Sequence, residues 1–150
     1  MLLIDALRAG GWPEYELGNA LGIVAHEDPS GNPAQPSGYN VFGTEDSWGL
    51  FQINRKAHPQ YSVAQLIDPV FNASVAYQLY QAAGNTYRDW STAPGLGLPP
   101  YGSAHYSIEE FSSIANVDVG GGGIVGNGAP ADRGLILALA VAGVALILWG

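Results

Sequence analysis

The chain has 150 residues, 47% of them hydrophobic, which gives room for one domain with its own core. Its formal net charge is −8 and its five Lys and Arg residues are scattered, which excludes the clustered basic surface of a nucleic-acid-binding protein. The absence of cysteine excludes disulfides and thiolate metal sites, and three separated histidines argue against zinc, so we expect no metal or other cofactor.

Residues 1–12, MLLIDALRAGGW, predict a short amphipathic helix. Leu3, Ala6 and Leu7 fall on one face, and Gly10-Gly11 ends the helix. Asp5 and Arg8 interrupt the unbroken apolar run that a secretory signal peptide needs, so we do not expect one here.

A second helix is predicted to begin at Pro13, because proline suits a first helical position. Its apolar stripe consists of Leu17, Ala20, Leu21 and Val24. The helix is stopped by Asp28-Pro29, which we interpret as a helix-ending turn.

Glu27 is the last residue before that turn. Ala20, Val24 and Glu27 stand at i, i+4 and i+7, which places the carboxylate on the buried face. Partial burial and the negative end of the helix dipole should both raise the pKa of Glu27, as a general acid requires. The alternative is a structural Glu that accepts hydrogen bonds from a neighbouring loop.

The next elements follow at shorter spacing. Residues 47–54 predict a short strand or hairpin arm, and Ser62 with Gln65 has capping-box spacing. Asp68-Pro69 begins another helix, which Gly84 ends and which carries Phe71, Val75 and Leu79 at a spacing of four. The predicted fold is mainly α with a small β element.

The composition changes after residue 115. Residues 116–133 contain four consecutive glycines and predict a flexible linker. Residues 134–150, GLILALAVAGVALILWG, carry no charge and would span roughly 25 Å as a helix, near the lower limit for crossing a bilayer. We therefore predict a globular domain over residues 1–115, a linker over 116–133 and a transmembrane helix over 134–150. A buried core helix is the alternative for the last segment.

Three sets of residues resemble one enzyme family. Glu27 is followed by Ser30-Gly31-Asn32-Pro33, then by residues 47–54, SWGLFQIN, and later by Trp90, Tyr101, Gly102, Ala104 and Tyr106. Their order resembles the motifs of the soluble lytic transglycosylases, in the goose-lysozyme-like superfamily. Two departures are visible: Asp28 and an extra residue precede Ser30, and the family's A-Y-N-A-G motif is missing.

The resemblance implies an α+β lysozyme-like fold and cleavage of the β-1,4 bond between N-acetylmuramic acid and N-acetylglucosamine in peptidoglycan. It implies that Glu27 protonates the leaving oxygen and then deprotonates the sugar 6-hydroxyl, giving a 1,6-anhydro product. The candidate substrate-binding residues are Ser30, Tyr39, Ser47, Gln52, Tyr101 and Tyr106. Gln52 and the tyrosines are equally compatible with packing roles.

Two alternatives to a transglycosylase remain open. Glu45 and Asp46 stand just before the GLFQ segment, where either would activate a water in an inverting lysozyme, unless they form only a solvated turn. The second alternative is a non-catalytic virion protein that binds membrane or wall. His26 and His58 are interpreted as structural or solvent-facing, and His105 as a weaker cleft candidate.

The order of the segments also predicts a location. A C-terminal anchor without a signal peptide would leave the domain in the cytoplasm, away from peptidoglycan. We therefore expect a phage protein in an internal virion membrane, next to other membrane or capsid proteins, that opens the wall at the start of infection. The alternative is a lysis protein in the bacterial inner membrane, because the lone Arg133 decides orientation poorly.

Overall fold

The computed structural model describes residues 1–120. It confirms a mainly helical fold with a small two-stranded sheet. The α-helices are α1 (Leu3–Ala9), α2 (Leu17–Glu27), α3 (Val63–Leu66), α4 (Pro69–Ala82), α5 (Ala93–Leu96) and α6 (Ser112–Ala115). Strands β1 (Ser47–Trp48) and β2 (Ile53–Asn54) form an antiparallel hairpin, and 3-10 helices cover Glu14–Glu16, Gly38–Phe42 and Glu109–Phe111.

The central helix is α2, whose residues from Leu17 to Val24 are all buried. It is surrounded by α1, α6 and the 3-10 helix Glu109–Phe111. The apolar stripe predicted for this helix is correct, but the buried surface of α2 is wider than the stripe. Gly18 and Gly22 allow neighbouring segments to pack against the other faces of the helix. The predicted start is wrong: Pro13 precedes the separate 3-10 turn Glu14–Glu16, and α2 begins at Leu17.

Helix α4 packs across α1. The Asp68 side chain caps it by accepting from the Phe71 backbone N–H at 2.8 Å, as its sequence predicted. Its buried face is rotated relative to the predicted one, since Asn72, Ala73, Val75, Ala76 and Tyr80 are buried whereas Phe71 and Leu79 are only partly so. The close packing of Gly10 against Ala73 explains the rotation: a Cβ at Gly10 would lie 2.6 Å from the Ala73 Cβ.

Aromatic side chains fill the core beside these helices. The Trp12 indole stacks on Phe51 at 5.5 Å and on Tyr87 at 6.1 Å between ring centroids. Trp12 Nε1 donates to the Ala73 carbonyl at 3.0 Å, and Trp90 Nε1 donates to the Phe51 carbonyl at 3.2 Å. The buried indole N–H groups are thus satisfied, and the segment around Trp90 is fixed to the hairpin.

The hairpin is held against α4 by one buried amide. Asn72 is fully buried; its Oδ1 accepts from the Phe51 N–H at 2.9 Å, and its Nδ2 donates to the carbonyls of Trp48 at 3.1 Å and Leu66 at 3.0 Å. Gly49 adopts φ of 81° directly over this amide, where a Cβ would collide with Asn72 Nδ2. The conformation of the GLFQ turn therefore depends on a residue of helix α4.

The two ends of the described chain pair with each other. The Leu3 N–H donates to the Val117 carbonyl at 2.9 Å, the Val119 N–H donates to the Met1 carbonyl at 3.0 Å, and Leu2 and Asp118 form an antiparallel bridge. We call this pairing the terminal clasp. The packed part of the chain thus extends to Val119, beyond the predicted boundary at residue 115.

The transmembrane helix predicted over 134–150 and most of the predicted linker lie outside the described residues. Within residues 1–120, no helix has the length and apolar character needed to cross a membrane.

Candidate active site

A cleft of about 960 Å³ opens at the C-terminal end of α2. Its walls come from four segments: the end of α2 with the following loop, the 3-10 helix Gly38–Phe42, the hairpin, and the residues around Trp90. This volume lies within the range of ligand sites in proteins. The cleft brings together Glu27, Ser30, Tyr39, Glu45, Ser47 and Gln52 from the predicted set.

Glu27 is the last residue of α2 and is half-buried in the cleft wall. Its Oε1 accepts a hydrogen bond from the Thr92 hydroxyl at 2.9 Å. Burial is the main reason that the pKa of Glu27 is raised. The hydrogen bond from Thr92 and the nearby His26 lower this pKa, whereas the negative charge of Glu45 raises it further. A carboxylic acid that holds its proton to higher pH than usual is suited to protonate a leaving group.

Glu45 is a further carboxylate in the cleft, which Asp28 and Asp89 also line. Its Oε2 accepts from the hydroxyls of Ser37 at 2.8 Å and Ser47 at 3.3 Å, so the side chain is held in one orientation. Its negative charge adds to the effect of burial in raising the pKa of Glu27.

Asp46 takes no part in the cleft, contrary to the alternative that grouped it with Glu45. It accepts from Trp48 Nε1 at 2.7 Å and pairs with Arg55 Nη1 at 2.9 Å. These bonds join Asp46 to residues at both strands of the hairpin.

Gln52 lies in the cleft with a strained backbone, since its φ is 50° although it is not glycine. Its Nε2 donates to the carbonyls of Gly49 at 2.9 Å and Gln35 at 3.1 Å. Both amide protons are therefore used to join the hairpin turn to the opposite loop. Within residues 1–120 the Gln52 Oε1 makes no hydrogen bond, which leaves it available to a substrate N–H or hydroxyl.

Residues 22–92 match the protein family described as a lysozyme-like domain. The match covers just under half of the chain. Comparisons with curated proteins and with solved structures gave no match. The match supports the predicted resemblance at the level of the lysozyme-like superfamily, and with it the broad class of enzymes that cleave glycosidic bonds in peptidoglycan.

The matched stretch contains Glu27 and Glu45, and its last residue is Thr92, which is bonded to Glu27. The loop after Glu27 departs from the expected arrangement. The Ser30 hydroxyl lines the cleft but donates to Asp28 Oδ1 at 2.5 Å, away from the catalytic candidate. Burial raises the pKa of Asp28, against the hydrogen bonds it accepts from Ser30 and from the backbone N–H groups of the loop.

The predicted aromatic residues separate into two groups. Tyr39 lines the cleft with 64% of its surface exposed, as a sugar platform would. Tyr101 and Tyr106 do not line it, and their role as substrate-binding residues stays a prediction. The Tyr106 hydroxyl donates to the Leu96 carbonyl at 2.9 Å and its ring packs on Phe111, while the Tyr101 hydroxyl donates to the Arg88 carbonyl at 3.3 Å.

The positions of the histidines relative to the cleft also differ from those predicted. His26 and His58, predicted to be structural or solvent-facing, line the cleft. His105, the predicted cleft candidate, instead contacts Asn19 at 3.2 Å outside the cleft. Within residues 1–120, no group of three or more His, Asp or Glu side chains is arranged to hold a metal ion.

Two residues that position the site were not predicted. Thr92 contacts Glu27 across 65 positions of sequence, and Asn72 fixes the GLFQ turn from within α4. The available signals were a polar Asn on the inward face of an apolar helix and a Thr directly before Ala93-Pro94, where a helix cap would be expected.

Proposed function

We propose that the protein is a lytic transglycosylase that cleaves the bond between N-acetylmuramic acid and N-acetylglucosamine in peptidoglycan. The observation that carries this proposal is Glu27: a half-buried carboxyl group with a raised pKa that accepts a hydrogen bond from Thr92, at the end of a buried helix, in a cleft whose walls lie largely within the stretch that matches a lysozyme-like domain. Such a group serves first as a general acid and then, once ionised, as a general base.

Both steps balance without water. Glu27 donates its proton to the glycosidic oxygen as the bond to the N-acetylmuramic acid C1 breaks, and the substrate's own N-acetyl group stabilises the resulting cation. The Glu27 carboxylate then takes the proton of the 6-hydroxyl while that oxygen bonds to C1. The product is a 1,6-anhydro sugar, and Glu27 regains its starting protonation state.

The experiment is mass spectrometry of fragments that the full chain, kept in mild detergent, releases from purified peptidoglycan. A transglycosylase gives fragments lighter by one water than the corresponding hydrolysis products. Glu27→Gln should release none, whereas the exposed control Glu109→Gln should match the wild type. Wall degradation by Glu27→Gln at the wild-type rate would refute the catalytic role of Glu27. A wild type that binds peptidoglycan but releases no fragments would favour a binding protein.

A second candidate function, an inverting lysozyme, is favoured by the position of Glu45. Inverting glycosidases use one carboxylic acid and one carboxylate that activates a water. Glu45 is in the same cleft as Glu27, and two serine hydroxyls hold it. In this mechanism Glu45 would remove a proton from water as its oxygen attacks C1.

Reaction in water labelled with ¹⁸O separates the two mechanisms. A hydrolase places one labelled oxygen at each new reducing end, and Glu45→Gln would abolish its activity. A transglycosylase incorporates no label in the cleavage step, and its anhydro product would still form in Glu45→Gln.

We further propose that the domain acts at a membrane surface, in the internal membrane of a virion. The apolar run over residues 134–150 and the glycine-rich segment before it support this location. Purified virions that lack the protein would refute it, and recovery in the bacterial inner membrane would favour the lysis alternative.

A further inference from the structure

Thr92 occupies the position of a helix cap but does not cap. It directly precedes α5, yet its side chain makes no hydrogen bond to that helix, and its φ of −80° and ψ of −22° are helical rather than extended. Threonine at this position ordinarily stabilises a helix by bonding to a backbone N–H of the first turn. The hydroxyl is instead turned to Glu27.

Thr92 is held in place by the aromatic core. It follows the cleft-lining residues Trp90 and Ser91, and the Trp90 indole is bonded to the Phe51 carbonyl. The buried Ala93 donates its N–H to the Trp90 carbonyl at 3.1 Å, and the Leu96 N–H donates to the Thr92 carbonyl at 3.3 Å. The hydroxyl therefore approaches Glu27 from a segment fixed on both sides of Thr92.

We propose that Thr92 is a positioning residue that determines which oxygen of Glu27 carries the reacting proton. This inference rests on the proposed function of Glu27. The Thr92 hydroxyl donates to Oε1, and within residues 1–120 no side chain or backbone group donates to Oε2. Because a donated hydrogen bond makes Oε1 the less favourable place for a proton, the proton resides on Oε2, which is left to the substrate.

The same bond serves both halves of the reaction. When Glu27 is ionised, a hydrogen bond from a hydroxyl stabilises the carboxylate and limits the upward effect of burial on its pKa. When Glu27 is protonated on Oε2, the bond to Oε1 keeps the carboxyl group from rotating. The orientation of the acid is thus retained when it becomes the base.

The test compares three substitutions in the full chain. Thr92→Val removes the hydroxyl with little change in shape, and Thr92→Ser retains it. Thr86→Val is the matched control, because the Thr86 hydroxyl donates only to the Ala83 carbonyl, at 2.8 Å, at the end of α4. Each variant is measured by the pH dependence of fragment release and by the NMR titration of ¹³C-labelled glutamate carboxyl groups, with Glu27→Gln to identify the Glu27 signal.

In Thr92→Val we expect the Glu27 titration to move to higher pH, since the bond that favours the ionised form is lost. The alkaline limb of the rate profile should move in the same direction, and the maximal rate should fall by roughly tenfold, the effect of one charge-assisted hydrogen bond. Thr92→Ser should restore both, and Thr86→Val should change neither.

An unchanged Glu27 titration in Thr92→Val would overturn the proposal, as would an equal shift in Thr86→Val. The NMR titration does not depend on turnover. A shifted titration in a protein that releases no fragments from peptidoglycan would therefore support the contact while refuting the proposed function.

Discussion

Replacing Asn72 by alanine should be among the most destabilising single changes in the domain. The side chain is fully buried and makes three hydrogen bonds, so the substitution leaves the Phe51 N–H and the carbonyls of Trp48 and Leu66 without partners. A buried backbone group without a partner costs about 1–3 kcal/mol, and the three losses are not additive because the turn relaxes.

We expect the free energy of unfolding to fall by about 3–5 kcal/mol in Asn72→Ala, a large part of the 5–15 kcal/mol typical of a domain. Urea unfolding followed by tryptophan fluorescence measures the loss through the midpoint and slope. Asn116→Ala is the control, since Asn116 is exposed and its Nδ2 bonds only to the Ser112 carbonyl. A loss below about 1 kcal/mol in Asn72→Ala would refute the reasoning.

Asn72→Asp tests the direction of the bonds. Aspartate keeps the acceptor for the Phe51 N–H but turns its second oxygen toward two carbonyl oxygens. Burial would raise the pKa of this aspartate in the folded state, so the variant is most stable below the unfolded pKa of about 3.9 and loses stability as pH rises. Equal destabilisation at low and neutral pH would contradict the hydrogen-bond assignment.

Three further predictions concern other contacts. Asp28→Asn should become more stable relative to the wild type as pH rises above the ordinary aspartate range, because burial raises the pKa of Asp28 and its ionisation opposes folding. Thermal unfolding as a function of pH measures this effect, and a difference in unfolding temperature that stays constant with pH would contradict it. Gly18→Ala should lower the free energy of unfolding in urea by about 1–3 kcal/mol or more, since its Cβ would collide with the Tyr106 backbone. At Gly95 a Cβ would have open space, so Gly95→Ala should lower it by less than about 1 kcal/mol. Tyr39→Ala should raise KM for soluble glycan strands by about threefold to tenfold and leave thermal stability unchanged, because its ring is mostly exposed; an unchanged KM would exclude stacking.

The sequence predicted the features that depend on neighbours in the chain. The capping box formed by Ser62 and Gln65, the start of α4 at Asp68-Pro69 and the small β element over residues 47–54 all appear in the structure. The inward position of Glu27 was predicted as well, because helical periodicity fixes the face of a residue at the helix end.

The missed features depend on contacts between distant segments. The bond between Thr92 and Glu27 joins α2 to a later segment, and no periodicity within either segment contains it. Glu45 and Asp46 are adjacent in sequence, yet only their tertiary partners, Ser37 and Ser47 for one and Arg55 for the other, place Glu45 alone in the cleft. Because side chains alternate in direction along an extended segment, only one of two adjacent side chains is expected to face the cleft, but the alternation does not predict which one.

The terminal clasp determines how the domain would respond to a mechanical load on the chain beyond Gly120. Tension applied there is borne first by the pairing of Val117 and Val119 with the residues around Leu2, and not by the core helices. Val117 also touches Gly31, where a Cβ would lie 3.0 Å from its Cγ1, in the loop that follows Glu27. Separation of the clasp strands would therefore loosen the support of the loop after Glu27 before any core helix unfolds. Force applied beyond Gly120 would thus change the surroundings of Glu27.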